Sequence, residues 1–242
     1  MKRGCLIAFG IVAALLLAGV LLFGRIVGGM AEQAIAAAGG TAPRVDSGLP
    51  GTLFGGSVRV DLDGVTIDLL TAGATSAELG GVSLFGLDGL TASPPRLPDG
   101  LSLDVRSGTV TVPVTVAGRT ATFATVSIRG PLEAVAFEAT IDANGAAEAF
   151  AAFLPGVPVD PADLVIEGTS IRVIDGPSAG IRLDFTATAT GFRSTTPAST
   201  SELRLPDGLV ITGSAVRAAD GAIVFSGLFD LRAAAASYGF AE

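Results

Sequence analysis

The chain alternates between two periodicities, and their order predicts its elements. Residues Gly4–Gly24 form one unbroken apolar run with no charged side chain, bracketed by Lys2 and Arg3 before it and Arg25 after it. As a helix it would be roughly 30 Å long, enough to cross a bilayer's hydrocarbon core. Leu6, Ile7, Phe9, Ile11, Leu15, Leu16, Leu17, Leu21, Leu22 and Phe23 are its membrane-facing candidates. The apolar region of a cleaved signal is about 7–15 residues long and ends at small residues. This run passes Ala18 and Gly19 without stopping. A retained signal anchor is therefore favoured, with secretion after cleavage as the alternative. The flanking charges put the N-terminus in the cytoplasm and residues 25–242 outside.

Helical spacing continues over Arg25–Ala38, where Met30 and Ile35 lie on an apolar face, until Gly39-Gly40 and Pro43 end it. From Val58 onward the period falls to two. Val58, Val60 and Leu62 alternate with Arg59 and Asp61. Asp63-Gly64 then marks either a hairpin turn or a bulge within one strand. Val110, Val112, Val114 and Val116 alternate with Thr109, Thr111, Pro113 and Thr115 as a half-buried strand, with Pro113 predicting an edge or bulge. Val135–Ile141 alternates in the same way. Ala146–Leu154 reads as a second short helix, capped by Asp142 or Asn144, with Phe150, Phe153 and Leu154 on its apolar stripe. Strands return over Leu164–Ile166, Ile171–Ile174 and Ile181–Ala189, the last with Phe185 inward, and Phe192–Ser201 reads as a Ser/Thr-rich loop. An Asp220-Gly221 turn precedes the closing strands. The hexapeptide RLPDGL occurs at Arg96–Leu101 and again at Arg204–Leu209, in similar context. Duplication and coincidence both remain open.

These elements predict an α+β fold. After an N-terminal transmembrane helix comes a twisted antiparallel sheet wrapped around one or two amphipathic helices, with duplication of that unit left open. The division expected is an anchor over 1–24 and an extracytoplasmic domain over 25–242, with conceivable halves 25–141 and 142–242.

Composition narrows the chemistry. The chain has no histidine or tryptophan, one tyrosine, one cysteine (Cys5) and one lysine (Lys2). The exported part thus has no imidazole base, amine or thiol nucleophile, and cannot build a Ser-His-Asp triad, a His-bearing zinc site or a Walker lysine. A two-carboxylate hydrolase is what the inventory leaves, and 6% aromatic content offers few sugar platforms. No enzyme activity, cofactor or metal is expected. The acidic pairs Asp61/Asp63 and Asp160/Asp163 lack the oxygen density of a calcium loop. Net charge is −8, and −10 without Lys2 and Arg3, so nucleic acid is a poor partner. A 49% apolar fraction fits instead a greasy concavity with few polar hooks. Its candidate lining is Met30, Ile35, Phe54, Val112, Val114, Phe137, Phe150, Phe153, Leu154 and Phe185, with membrane lipid as partner and envelope proteins as a further class.

The helix after the export signal, Val45, the segment Pro50-Gly51-Thr52-Leu53-Phe54-Gly55-Gly56 leading into Val58 and Val60, and the short strands with Asp-Gly turns carry a resemblance. Over roughly residues 25–232 the organisation resembles the LmeA-like family of actinobacterial envelope proteins, exported phospholipid binders implicated in lipomannan elongation. That family is thought similar to tubular lipid-binding domains. The resemblance implies an acyl chain held between the Arg25–Ala38 helix and the sheet. A non-catalytic, β-rich envelope module would have much the same sequence.

Overall fold

The computed structural model describes residues 28–29, 32–33, 36–37, 43–47, 56–62, 65–67, 70–82, 90, 93–114, 119–154, 156–157, 159–202, 210–236 and 239. The expected anchor, Gly4–Gly24, lies outside them. No described helix is long and apolar enough to cross a membrane.

The expected α+β architecture is overturned. The chain is mostly β, in two antiparallel sheets. The large sheet runs in the order β1 (Arg44–Ser47), β2 (Gly56–Asp61), β4 (Leu70–Val82), β5 (Ser102–Val114), β7 (Thr125–Pro131), β8 (Val135–Ile141), β15 (Ala222–Phe229), β14 (Ile211–Ala219). Short β3 (Val65–Ile67) and β6 (Arg119–Phe123) pair with β4 and β5 respectively. The small sheet holds β9 (Leu164–Glu167), β10 (Ser170–Val173), β11 (Arg182–Thr188), β12 (Gly191–Thr195) and β13 (Thr200–Glu202) as a meander.

Among the described residues no sheet wraps a helix, because the small sheet takes the place assigned to one. Phe137, Ile141, Ile211, Ile223 and Phe225 of the large sheet meet Leu164, Ile171, Val173, Leu183, Phe185 and Phe192 of the small sheet in one buried cluster. Helix α1 (Ala143–Phe153) closes the cluster with Ala146, Ala149 and Phe150. It starts where Asp142 Oδ1 accepts the Gly145 N–H at 2.9 Å, which satisfies one of the donors a helix start leaves free. Gly145 sits so close to β6 that a Cβ there would collide with the Thr122 carbonyl oxygen. The six-residue α2 (Leu231–Ala236) follows β15.

Strand pairing settles two open points of the sequence. β2 and β3 both run antiparallel to β4, so they run in the same direction and are successive parts of one interrupted strand. The hairpin alternative at Asp63-Gly64 falls. Pro113 lies beyond the last β4–β5 pair, Thr71 with Thr111, and is flanked there by Thr120 of β6. The segment read as a loop, Phe192–Ser201, is instead most of the β12–β13 hairpin. Its Phe192 and Ser194 point inward and are buried, and threonine's branched Cβ suits a pleated surface.

Candidate apolar binding surface

Cross-strand partners in a sheet share a face, so register tells what each face presents. One row of partners reads Val45, Val60, Ala77, Val105, Ile128, Phe137 across β1, β2, β4, β5, β7 and β8. The next reads Val58, Leu79, Leu103, Gly130. The reverse face carries Arg59, Glu78, Asp104, Arg129 in one row and Asp61, Ser76, Arg106, Ser127, Glu138 in another. Arg59 pairs with Asp61 at 3.2 Å, Arg106 and Arg129 share Asp104 at 3.4 and 3.8 Å, and Arg217 reaches Glu138 at 2.8 Å. This large sheet is amphipathic from edge to edge.

Its apolar face is covered unevenly. At β8 and β15 the inward residues lie beneath the small sheet, and Val135, Ile223 and Phe150 of α1 have no accessible surface. At β2, β4 and β5 the corresponding Val58, Val60, Ala77, Leu79, Leu103 and Val105 are only partly buried. An apolar strip therefore emerges from under the second layer. Ile128 marks the transition, packing against both the main cluster and a smaller one formed by Leu101, Leu132 and Val135. Beside the strip's outer edge, Gly28, Gly29, Glu32, Gln33, Ala36 and Ala37 have helical backbone. Glu32 Oε1 accepts the Val45 N–H at 3.2 Å, and a Cβ at Gly28 would meet Val45 Cβ at 3.9 Å. That carboxylate occupies a donor that edge strand β1 would otherwise leave open.

The residues expected to line a ligand groove divide into three groups. Phe137, Phe150 and Phe185 come together, with Leu154 packed against them, in the sealed cluster. Phe137 stacks on Phe229 at 4.5 Å, while Phe185 and Phe192 each meet Phe225 edge-on at 5.2 Å. Such pairs favour a close-packed interior. Val112 and Val114 lie in β5 opposite Ala121 and Arg119 of β6, the strand against which α1 packs, and Phe153 ends α1. Met30, Ile35 and Phe54 lie outside the described residues. The partly exposed strip was not among the expected lining, although the alternation of Val58 and Val60 with Arg59 and Asp61 already signalled its two faces.

Several ionisable groups form surface pairs. Ser170 Oγ donates to Asp184, and Arg182 donates to Asp184 Oδ1 at 2.6 Å and to Ser170 Oγ at 2.7 Å. Burial alone would raise the Asp184 carboxyl, but the Ser170 and Arg182 hydrogen bonds and the Arg182 charge together hold it below the usual range. A carboxylate so stabilised is a weak base, and Ser170 is itself buried, so the trio is a poor nucleophile site. Glu167 is lowered first by its hydrogen bond from Arg172 and then by that residue's charge. Asp160 caps the turn Pro161–Asp163 by accepting the Ala162 N–H at 2.9 Å. Among the described residues no group of His, Cys, Asp and Glu side chains could hold a metal ion. The chain matches no protein-family model, no curated protein and no solved structure.

Proposed function

We propose that this chain is a membrane-anchored extracytoplasmic protein that binds or transfers phospholipid, or another apolar ligand, in the cell envelope. The observation that carries the reading is the strip of Val58, Val60, Ala77, Leu79, Leu103 and Val105, apolar, continuous with the core and only partly covered. An acyl chain laid along it gains about 0.8 kcal/mol for each methylene removed from water. No acid–base chemistry is needed for such sequestration. The helical residues Gly28, Gly29, Glu32, Gln33, Ala36 and Ala37, tied to β1 through Glu32, supply a second wall, and the Gly4–Gly24 run keeps the strip near its lipid source. With a net charge of −8, apolar contact rather than attraction to anionic headgroups drives capture. The resemblance to LmeA-like envelope proteins supports the same reading.

The sealed phenylalanine cluster favours the second reading, a non-catalytic β-rich structural or interaction module. A phospholipid with a photoactivatable acyl chain, incorporated in the membrane that carries the full-length protein, separates the two. Crosslinks are expected at Val60, Ala77 and Val105, and not at Arg59, Glu78 or Asp104 on the reverse face. Ala77→Trp, which fills the strip, should abolish them. Labelling of both faces alike, or of neither, leaves the structural module.

A further inference from the structure

Toward one end the apolar strip stops being open. Leu79 and Leu103 run into the smaller cluster, where Leu101 and Leu132 are joined by Leu97 and Leu231. The cover comes from the loop that enters β5, the β7–β8 turn and helix α2. Arg232 ties all three. Its Nη1 donates to the Leu97 carbonyl at 3.0 Å, its Nη2 to the Pro98 carbonyl at 2.6 Å and its Nε to Glu133 Oε1 at 2.7 Å. Asp99 Oδ1 lies 3.4 Å from Nη1. The side chain is 20% exposed. The Leu231 and Arg232 N–H groups both reach the Leu132 carbonyl, at 2.8 and 3.2 Å. The first RLPDGL copy is thus a guanidinium cradle, presenting two successive carbonyls and a carboxylate to one planar fork. Lysine, with a single point charge, cannot serve both carbonyls in that geometry.

We propose that this Arg232 clasp is a latch over the strip, and that an acyl ligand enters and leaves through its Leu79/Leu103 end when the latch opens. The inference rests on the lipid-binding reading above and adds its point of control. Three features carry it. The covering residues belong to a loop, a turn and a six-residue helix rather than to the sheet ladder. Among the described residues their apolar cluster has three buried members, against fourteen in the main core, and the two share only the partly buried Ile128 and Phe229, so it opens with little disturbance of that core. And the groups that hold it shut meet at one partly solvated side chain, whose charge-assisted bonds break together.

The test uses the full-length protein in nanodiscs of synthetic phosphatidylcholine, with a pyrene-labelled phosphatidylcholine as the probe. Hydrogen exchange is followed separately in residues 93–103 and 229–236 and in residues 137–141 and 222–228. Arg232→Ala should speed exchange in the first pair of segments, leave the second pair unchanged, and raise the rate of probe release about tenfold, the factor expected for losing a charge-assisted contact. Arg232→Lys should fall between the two proteins. Salt of about 1 M should accelerate release from the wild type but have less effect on Arg232→Ala. Unchanged exchange in 93–103 and 229–236 overturns the latch. So does faster exchange with an unchanged release rate, or faster exchange that spreads into 137–141 and 222–228. If the wild type itself takes up no probe, the lipid-binding reading fails and the latch's role in access fails with it. That outcome is distinct from a wild type that binds probe and a variant that releases it no faster.

Discussion

The two ends of the large sheet obey the same alternation and meet different fates. At β8 and β15 the inward positions are Phe137, Ile141, Ile223 and Phe225, and a second sheet and a helix lie over them. At β2, β4 and β5 the inward positions are Val58, Val60, Ala77, Leu79, Leu103 and Val105, smaller and only partly buried. An alternating strand guarantees one apolar face but does not state what will cover it. The bulky aromatic end has the contacts of a dry interior. The aliphatic end keeps surface that a ligand could take. The sealed end is expected to govern stability, and the open end the binding proposed above.

The largest effect is expected from emptying the sealed end. Phe150→Ala removes a ring with 0% exposure and should cost about 3–5 kcal/mol in denaturant unfolding. Val60→Ala, at the open end, should cost less than about 1.5 kcal/mol, since fewer neighbours lose contacts. Equal losses would erase the distinction between the two regions. Overfilling comes next. A Cβ at Gly227 would lie 2.5 Å from Ile211 Cγ2 and 2.9 Å from a Phe137 ring carbon. Gly227→Ala should therefore destabilise by about 1–3 kcal/mol, where an alanine packed against open strand would be tolerated. Asp142→Ala, which uncaps the helix closing the sealed end, should cost about 1 kcal/mol, and Asp142→Asn much less.

The smallest effect is acid sensitivity, which sharpens the comparison at its edges. Glu133 is held below the usual carboxylate range chiefly by its own backbone N–H, with Arg232 adding a hydrogen bond and charge. Its folded value is the lower one, so its contribution is complete above the ordinary glutamate pKa of about 4.5 and is lost as pH falls through the depressed value. Asp184 behaves in the same direction on the small sheet, relative to its ordinary 3.8. Acid titration followed by hydrogen exchange should loosen the Arg232 clasp and the β10–β11 pair while the phenylalanine cluster stays protected. Simultaneous loss of all three would mean that they are one cooperative unit.

What was legible in the sequence was local. The alternation of Val135, Phe137, Ala139 and Ile141 gave β8 its faces, Asp142 announced α1, and Asp220-Gly221 makes the β14–β15 hairpin turn, with φ of 48° and 74°. Such left-handed values at both central positions are what an Asp-Gly pair accommodates. What escaped was local pattern masked by composition, or pairing that leaves no local mark. Ser, Thr, Gly and Pro around Phe192–Ser201 looked like a loop because they also build turns. In β14 the register shifts between Thr212 and Ala215, at the positive-φ Gly213, which breaks the two-residue rhythm. The α+β expectation gave one or two amphipathic helices the role of central support. No local signal showed that five short strands would fill that place. The same gap put the candidate lining at the phenylalanines, whose size made them conspicuous, and passed over the modest Val58/Leu79 strip.

The pairing of β8 with β15 has a consequence in time. Between Ile141 and Ala222 lie α1 and the whole small sheet, all of it local hairpins able to form as soon as they are made. The first eight strands, by contrast, emerge with the long β8 side unpaired, and it stays so until residues near the chain's end arrive. Contacts of such separation form slowly, and an open hydrophobic strand edge is what neighbouring unfinished chains pair with. Every molecule thus passes through an interval, during its own synthesis, in which an open hydrophobic edge waits for β15.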